Sequence, residues 1–199
     1  MKKLEIIDSS TVFEKFVFKI NEFRLRHEKL DGTMSNEMTR LVFQRGESAA
    51  ALVHHTDTQQ LLFTRQFRLP ICGLTVDTPG DEAADGWLVE IAAGIVDAGE
   101  SPEEAIRREI EEEMGFVPNN VEPIGAVYAS PGGSSELIHI FYATVDKNSR
   151  RSDGGGAESE GEDIEVVEFS REVVIDQMQN GQLNDAKTLI ALQWFAANR

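Results

Sequence analysis

The first 45 residues show short apolar runs separated by a turn signal. Residues 16–20 are rich in apolar side chains, residues 23–26 continue the run, and residues 41–43 follow as a second one. Between the two runs, Asp31 and Gly32 form a dipeptide typical of hairpin turns. The pattern predicts strand, turn and strand. This block is too short to build much of a core, so we expect it to pack on the rest of the chain or on a second copy.

Residues 46–199 alternate short apolar runs with amphipathic ones, which is typical of a mixed α/β (α+β) domain. The predicted strands span 49–53, 61–65, 88–91, 121–126, 137–144 and 164–169, and the predicted helices span 102–114, 171–180 and 185–197. We therefore predict an amino-terminal β-sheet block at 1–45 and a larger domain at 46–199. The polar stretch 147–161, with its three consecutive glycines, predicts a flexible loop.

The helix predicted over 102–114 has clear signals at both ends. Ser101 and Glu104 fit a capping box, and Gly115 fits the position at which a helix stops. Ile106, Ile110 and Met114 recur every four residues and should face the core. For the last helix, Asn184 is the predicted N-cap.

Charge excludes several functions. The chain of 199 residues carries 35 acidic and 19 basic side chains, a formal charge of −16. This surplus argues against nucleic acid and anionic membrane surfaces as partners. One cysteine excludes an internal disulfide, and no apolar run approaches the roughly 18 residues of a membrane span. Without an apolar leader at the amino terminus, the expected location is the cytoplasm.

The acidic residues are concentrated in two clusters, eight in residues 97–113 and five in residues 158–165. Such clusters are either solvated faces or sites that converge on cations. On a regular helix, Glu109, Glu112 and Glu113 fall within an arc of roughly 100°. Three carboxylates on one face repel each other unless a cation lies between them, and such hard oxygen ligands favour Mg²⁺, with Mn²⁺ possible.

One segment has a fixed spacing of glycine, glutamate and arginine. Gly94 is followed after five residues by Glu100, and after seven more by the run 108–116, which reads Arg-Glu-Ile-Glu-Glu-Glu-Met-Gly-Phe. This segment resembles the complete signature of the Nudix hydrolases. The resemblance implies a Nudix fold, with a mixed sheet sandwiched between helices, and hydrolysis of a pyrophosphate bond in a nucleoside diphosphate joined to another group.

The resemblance also implies roles for individual residues of the signature. The metal ligands would be Glu109, Glu112, Glu113 and the backbone carbonyl of Ala93, with Glu112 and Glu113 also counted as catalytic. The supporting residues would be Gly94, Glu100, Arg108 and Gly115, with Glu100 and Arg108 hydrogen-bonded to each other.

From about residue 16 to residue 197, the chain resembles the ADP-ribose pyrophosphatases and the related GDP-mannose enzymes. The similar segments are 24–46, 62–68, 130–136, 157–164 and 190–194. This implies a nucleotide-sugar substrate and a homodimer that exchanges its amino-terminal sheets. Arg40, Arg68 and Glu136 would contact the substrate, Glu160 would be the general base, and Glu162 would be a further metal ligand. The loop 147–161 would then close over the diphosphate.

Several alternatives stay open from the sequence. Residues 137–141 and Lys187 resemble the GDP-mannose enzymes more closely, whereas the spacing of Glu158 and Glu162 favours ADP-ribose. Glu158, Glu162 or Glu112 could replace Glu160 as the base. The protein could also be a sensor that binds ADP-ribose without cutting it, although three repelling carboxylates argue against that. A hydrolase of oxidised nucleoside triphosphates is a further alternative, which the amino-terminal sheet and the acidic loop disfavour.

Overall fold

The computed structural model describes residues 2–73, 85–157 and 161–199. The chain forms two compact units, Met1–Glu47 with Tyr128–Leu137, and Ser48–Val127 with Ile138–Arg199. Residues 128–137, which the sequence grouped with the larger domain, thus belong to the first unit. Backbone bonds account for this, because Phe43 N–H donates to the Gly133 carbonyl at 2.8 Å and Ser135 N–H donates to the Phe43 carbonyl at 3.0 Å.

The first unit contains an antiparallel sheet of three strands in the order β1-β2-β3. The strands are β1 (Leu4–Lys15), β2 (Phe18–His27) and β3 (Met38–Gln44). The two predicted runs lie in β2 and β3, except that Phe16 and Val17 form the turn between β1 and β2, and the sequence missed most of β1. Polar residues 8–11 interrupt its apolar alternation, and register shifts on both sides of that stretch disturb the pairing with β2.

The second unit is organised by a larger sheet in the order β10-β5-β4-β9-β8, with β6 paired to β5 and β7 paired to β4. Its strands are β4 (Glu47–His55), β5 (Gln60–Phe67), β6 (Trp87–Glu90), β7 (Ala92–Ile95), β8 (Asn120–Tyr128), β9 (Leu137–Val145) and β10 (Ile164–Ser170). The predicted strand 88–91 is therefore two short strands that meet at the buried Ile91. Residues 87–95 cross here from β5 to β4.

In the described part of the second unit there are three α-helices: α1 (Pro102–Glu109), α2 (Arg171–Gln179) and α3 (Ala186–Asn198). Two details of the prediction are wrong. The first helix does not continue as a regular α-helix to 114, because Ile110–Met114 winds as a π-helical turn. The N-cap of α3 is Asp185 rather than Asn184, because the Asp185 side chain accepts the bond from the Thr188 N–H.

Both faces of the larger sheet are covered by helices. Alternate residues of β4 point to opposite sides, so Ala49, Ala51 and Val53 join the core under α1, while Ala50 and Leu52 join the core under α2 and α3. The predicted α+β class, with a sheet between helices, is confirmed. Within the described ranges, no helix has the length and apolar character needed to span a membrane.

Candidate active site

The helical segment predicted over 102–114 begins after Ser101 and ends at Gly115, the two residues that predicted its ends. Ser101 accepts from the N–H of Glu104, whose side chain accepts in return from the backbone of Ser101, so the capping box is present. At the other end Gly115 adopts a φ of 80°, which favours glycine. The predicted core positions Ile106, Ile110 and Met114 are all buried. These apolar side chains fix one side of the helix to the core.

The three signature glutamates lie at different depths rather than on one exposed face. The side chain of Glu113 is buried, that of Glu109 is 13% exposed, and that of Glu112 is 44% exposed. The π-helical turn that begins at Ile110 changes the winding between Glu109 and the other two. Single π turns occur often at functional sites because they re-aim side chains in this way.

Arg108 is the cation that organises these carboxylates. Its guanidinium donates to both oxygens of Glu100 at 3.2 Å, as predicted, and also to Glu109 at 2.8 Å and Glu112 at 3.1 Å. It further donates to the carbonyl of Ile95, at the end of β7. The hydrogen bond from Arg108 lowers the pKa of Glu100. Arg108 therefore joins the loop before α1, the crossing strand and the helix.

The crossing strand β7 lies directly against two of the glutamates. A Cβ built on Gly94 would lie 1.8 Å from Oε1 of Glu109, so the absence of a side chain at Gly94 lets this carboxylate occupy its observed position against the strand. One residue earlier, the N–H of Ala93 donates to Oε2 of Glu113 at 3.2 Å. The close approach of the Glu109 carboxylate thus explains the signature glycine at position 94. Ala93 is adjacent to Glu113, and metal binding by the Ala93 carbonyl stays a prediction.

Glu162, from the acidic loop, joins the negative charge around Glu109 and Glu113. Burial raises the pKa of Glu113 well above its usual value, and the charges of Glu109 and Glu162 raise it further. Burial likewise raises the pKa of Glu109, with Arg108 opposing it and the charges of Glu112 and Glu162 adding to it. The structure therefore brings three of the predicted ligands into mutual electrostatic range.

The donor chemistry of this group fits a hard divalent cation, because every side-chain donor is a carboxylate oxygen. Among residues 2–73, 85–157 and 161–199, no three acidic, histidine or cysteine side chains already lie in a metal-binding arrangement. The contacts of Arg108 explain this. Its guanidinium binds the carboxylates of Glu109 and Glu112, which a bound cation would otherwise attract. Side-chain rotation toward a shared cation is therefore part of the prediction.

The glycine-rich loop is hydrogen-bonded to the end of the helix, while the predicted flexibility of residues 147–161 stays a prediction. The N–H groups of Gly155 and Gly156 donate to the carbonyls of Glu113 and Glu112 at 2.9 and 3.1 Å. The predicted base Glu160 and its alternative Glu158 lie outside the described residues. Closure of this loop over a substrate therefore stays a prediction.

A second charged cluster, which sequence reasoning did not find as a unit, surrounds Glu90. This carboxylate is buried and accepts from Arg68 at 2.6 Å and from Lys187, whose Nζ also donates to Asp185 at 3.0 Å. The signal was a lone acid inside the apolar run 87–91. A buried charge needs partners, which here come from Arg68, directly after β5, and from α3. Arg68, predicted to contact the substrate, keeps a side chain that is 39% exposed.

The other two predicted substrate contacts belong to the first unit. Arg40 lies in β3 and donates to the carbonyl of Thr39. Glu136 is partly buried, and its carboxylate lies 3.8 Å from the guanidinium of Arg45. Their participation in substrate binding stays a prediction.

Comparisons with known proteins agree with this geometry. The model of the NUDIX domain matches residues 44–192. An ADP-ribose pyrophosphatase of Escherichia coli K12 is 35% identical over 96% of this chain and 87% of its own length. A GDP-mannose pyrophosphatase of Pectobacterium atrosepticum is 36% identical over 98% of this chain and 94% of its own.

A solved structure, the crystal structure of an ADP compounds hydrolase, superimposes with a TM-score of 0.68 and covers 98% of this chain and 95% of its own, at 22% identity. That likeness shows the fold. The fold, the complete signature and the sequence matches agree with one another. The chain therefore belongs to the Nudix family and is a Nudix hydrolase.

Proposed function

We propose that the protein hydrolyses the pyrophosphate bond of a nucleoside diphosphate sugar, with ADP-ribose as the substrate and AMP and ribose 5-phosphate as the products. The observation that carries this proposal is the buried carboxylate of Glu113, which interacts electrostatically with the carboxylates of Glu109 and Glu162. The carboxylate of Glu109 in turn lies against Gly94 of β7. The named activity of the relative from Escherichia coli K12 supports the choice of ADP-ribose.

The proposed reaction is a displacement at phosphorus. A water oxygen forms a new bond to one phosphorus of the diphosphate, the bridging oxygen leaves with the other phosphate, and the water gives up its proton to a base. Glu160 is the proposed base, with Glu158, Glu162 and Glu112 as the alternatives. Glu109, Glu112, Glu113 and Glu162, with the Ala93 carbonyl, would hold Mg²⁺ or Mn²⁺, which neutralises phosphate charge and lowers the pKa of a bound water.

The remaining residues of the site bind and orient. Arg108 holds Glu100, Glu109 and Glu112 in place through the hydrogen bonds described above. Arg68, which directly follows β5, is one proposed contact to the substrate, and Glu136 and Arg40 of the first unit are the others. Arg68 is already oriented by the buried Glu90, which reduces the entropy that its ordering would cost on binding.

A GDP-mannose pyrophosphatase is the second candidate. Lys187, which resembles that branch in sequence, lies with its ammonium group bound to Glu90 beside Arg68. The relative from Pectobacterium atrosepticum supports this candidate at a similar level of identity. The intact carboxylates oppose the alternative of a sensor that binds without hydrolysis.

We also propose a homodimer that exchanges its amino-terminal sheets. All twelve residues of β1 are exposed in the single chain. Exposed apolar side chains of the first unit include Leu4, Ile6, Val12, Phe13, Phe16, Val17, Phe18 and Leu41. Exposed apolar side chains in such number favour an interaction site, and an unpaired edge strand is a template for pairing.

The test is a substrate panel in the presence of Mg²⁺. ADP-ribose, GDP-mannose, UDP-glucose and a nucleoside triphosphate are compared by kcat/KM, and the phosphate products are identified by phosphorus NMR. The proposal predicts the highest kcat/KM for ADP-ribose, with AMP among the products. A higher value for GDP-mannose would select the second candidate, and turnover of triphosphates alone would refute both.

A further inference from the structure

The segment from Gly154 to Gly156, called here the glycine strap, lies against the carboxyl end of the catalytic helix. Its N–H groups bond the carbonyls of Glu112 and Glu113, which belong to the last turn and would otherwise lack helical partners. The approach is too close for side chains. A Cβ on Gly154 would lie 2.4 Å from the Glu113 carbonyl oxygen, and a Cβ on Gly115 would lie 2.3 Å from the Ser152 carbonyl oxygen.

The same strap also holds Glu162. The N–H of Ala157, directly after the strap, donates to Oε2 of Glu162 at 2.9 Å. A Cβ on Gly156 would lie 2.6 Å from that oxygen and 2.8 Å from the Cβ of Glu162. The Ile164 N–H donates to the carbonyl of Gly155 at 3.3 Å, which joins the beginning of β10 to the strap.

We propose that the glycine strap is a positioning device that fixes the Glu162 carboxylate relative to Glu109 and Glu113, and so sets the affinity of the site for a divalent cation. One side of the strap is bonded to the helix backbone, and the other side packs against Glu162. A displacement of the strap therefore changes the position of Glu162 relative to Glu109 and Glu113. The inference rests on the proposed function, and Gly156 is its central positioning residue.

The test compares Gly156→Ala with the control Gly181→Ala, which lies outside the strap. Both glycines have positive φ angles, 82° and 67°, so both substitutions strain the backbone. They differ in surroundings, because a Cβ on Gly181 meets no atom within 4 Å, whereas a Cβ on Gly156 would lie 2.8 Å from the Cβ of Glu162 and 2.9 Å from Cδ1 of Ile164. Binding of Mn²⁺ to the full-length protein without substrate is measured by electron paramagnetic resonance, and folding is checked by thermal unfolding.

We expect Gly156→Ala to raise the Kd for Mn²⁺ by roughly tenfold, the lower end of what loss of a supporting contact costs a metal site, while Gly181→Ala changes it by less than about twofold. In a Glu162→Gln background the Gly156→Ala change should have no further effect, because its action passes through Glu162. Equal Kd values for the two alanine variants, or additive effects in the double variant, would overturn the proposal.

Two outcomes need separate treatment. If Gly156→Ala does not fold, Gly156→Asn replaces it, because asparagine tolerates positive φ better while still presenting a Cβ to Glu162. If the wild-type protein hydrolyses ADP-ribose and binds Mn²⁺ but the variants do not differ, the strap proposal alone fails. If the wild-type protein neither binds Mn²⁺ nor hydrolyses any member of the panel, the proposed function fails with it.

Discussion

Replacing Thr188 with valine should destabilise the second unit although the two side chains have nearly the same shape. Thr188 lies in the first turn of α3 and is completely buried. Its hydroxyl accepts from the N–H of Ile91 at 3.0 Å and donates to Oδ2 of Asp185 at 2.6 Å. One hydroxyl thus satisfies the buried backbone between β6 and β7 and also binds the cap of α3.

The size of the effect follows from these two bonds. Valine leaves the buried N–H of Ile91 without a partner, which costs about 1–3 kcal/mol. Loss of the bond to Asp185 adds less than a typical charge-assisted bond, because that carboxylate keeps the Thr188 N–H and Lys187 as partners. The extra methyl of valine returns at most about 0.8 kcal/mol. We expect a net loss of about 1–3 kcal/mol in the free energy of unfolding.

The assay is urea unfolding followed by tryptophan fluorescence, because both tryptophans, Trp87 and Trp194, lie in the second unit. Thr188→Ser is the control, since it keeps the hydroxyl and removes one methyl, at a cost of about 1 kcal/mol. The expected order of stability is wild type, then serine, then valine. A valine variant that is as stable as the wild type, or more stable than the serine variant, would refute the reasoning.

Two further predictions concern pH and assembly. Burial, with a smaller contribution from the charge of His55, lowers the pKa of His54, whose ring bonds the Tyr142 hydroxyl. Below about pH 6.5 the unfolded chain therefore binds a proton at His54 that the folded chain does not. The free energy of unfolding should then fall more from pH 7 to pH 5 in the wild type than in His54→Gln. Equal losses in the two proteins would contradict this. Analytical ultracentrifugation at micromolar concentration should show a dimer of the wild type. The double variant Phe16→Asp/Phe18→Asp should dissociate more readily. A wild-type protein that is monomeric and fully active would refute the exchange of amino-terminal sheets.

The parts of the fold that depend on local sequence could be predicted. The capping box at Ser101 and the stop at Gly115 lie next to the helix that they limit, and both are present in the structure. The bond between Glu100 and Arg108 was predicted from the signature alone and is present. The strand β1 was missed because polar residues at its centre interrupt the apolar alternation. Its antiparallel pairing with β2 identifies it as a strand, and that pairing is visible only in the structure.

Contacts between distant segments could not be predicted. Glu90 meets Lys187 across 97 positions of the chain, and a sequence pattern holds no record of such a pair. The N-cap of α3 was placed one residue early because asparagine and aspartate are both good caps, and only the fold selects Asp185. The glycines at 154–156 suggested flexibility, whereas their packing against the helix end appears only in three dimensions.

The central claim is that the signature carboxylates support hydrolysis of ADP-ribose. The most direct measurement is kcat for ADP-ribose with saturating Mg²⁺ in Glu113→Gln, which keeps the shape of this buried side chain and removes its charge. Glu111→Gln is the control, because Glu111 is an exposed glutamate in the same turn. We predict that Glu113→Gln lowers kcat by at least about 100-fold, that Glu111→Gln leaves it unchanged, and that excess EDTA abolishes turnover in all three proteins. Wild-type turnover in Glu113→Gln, or in excess EDTA, would contradict the account.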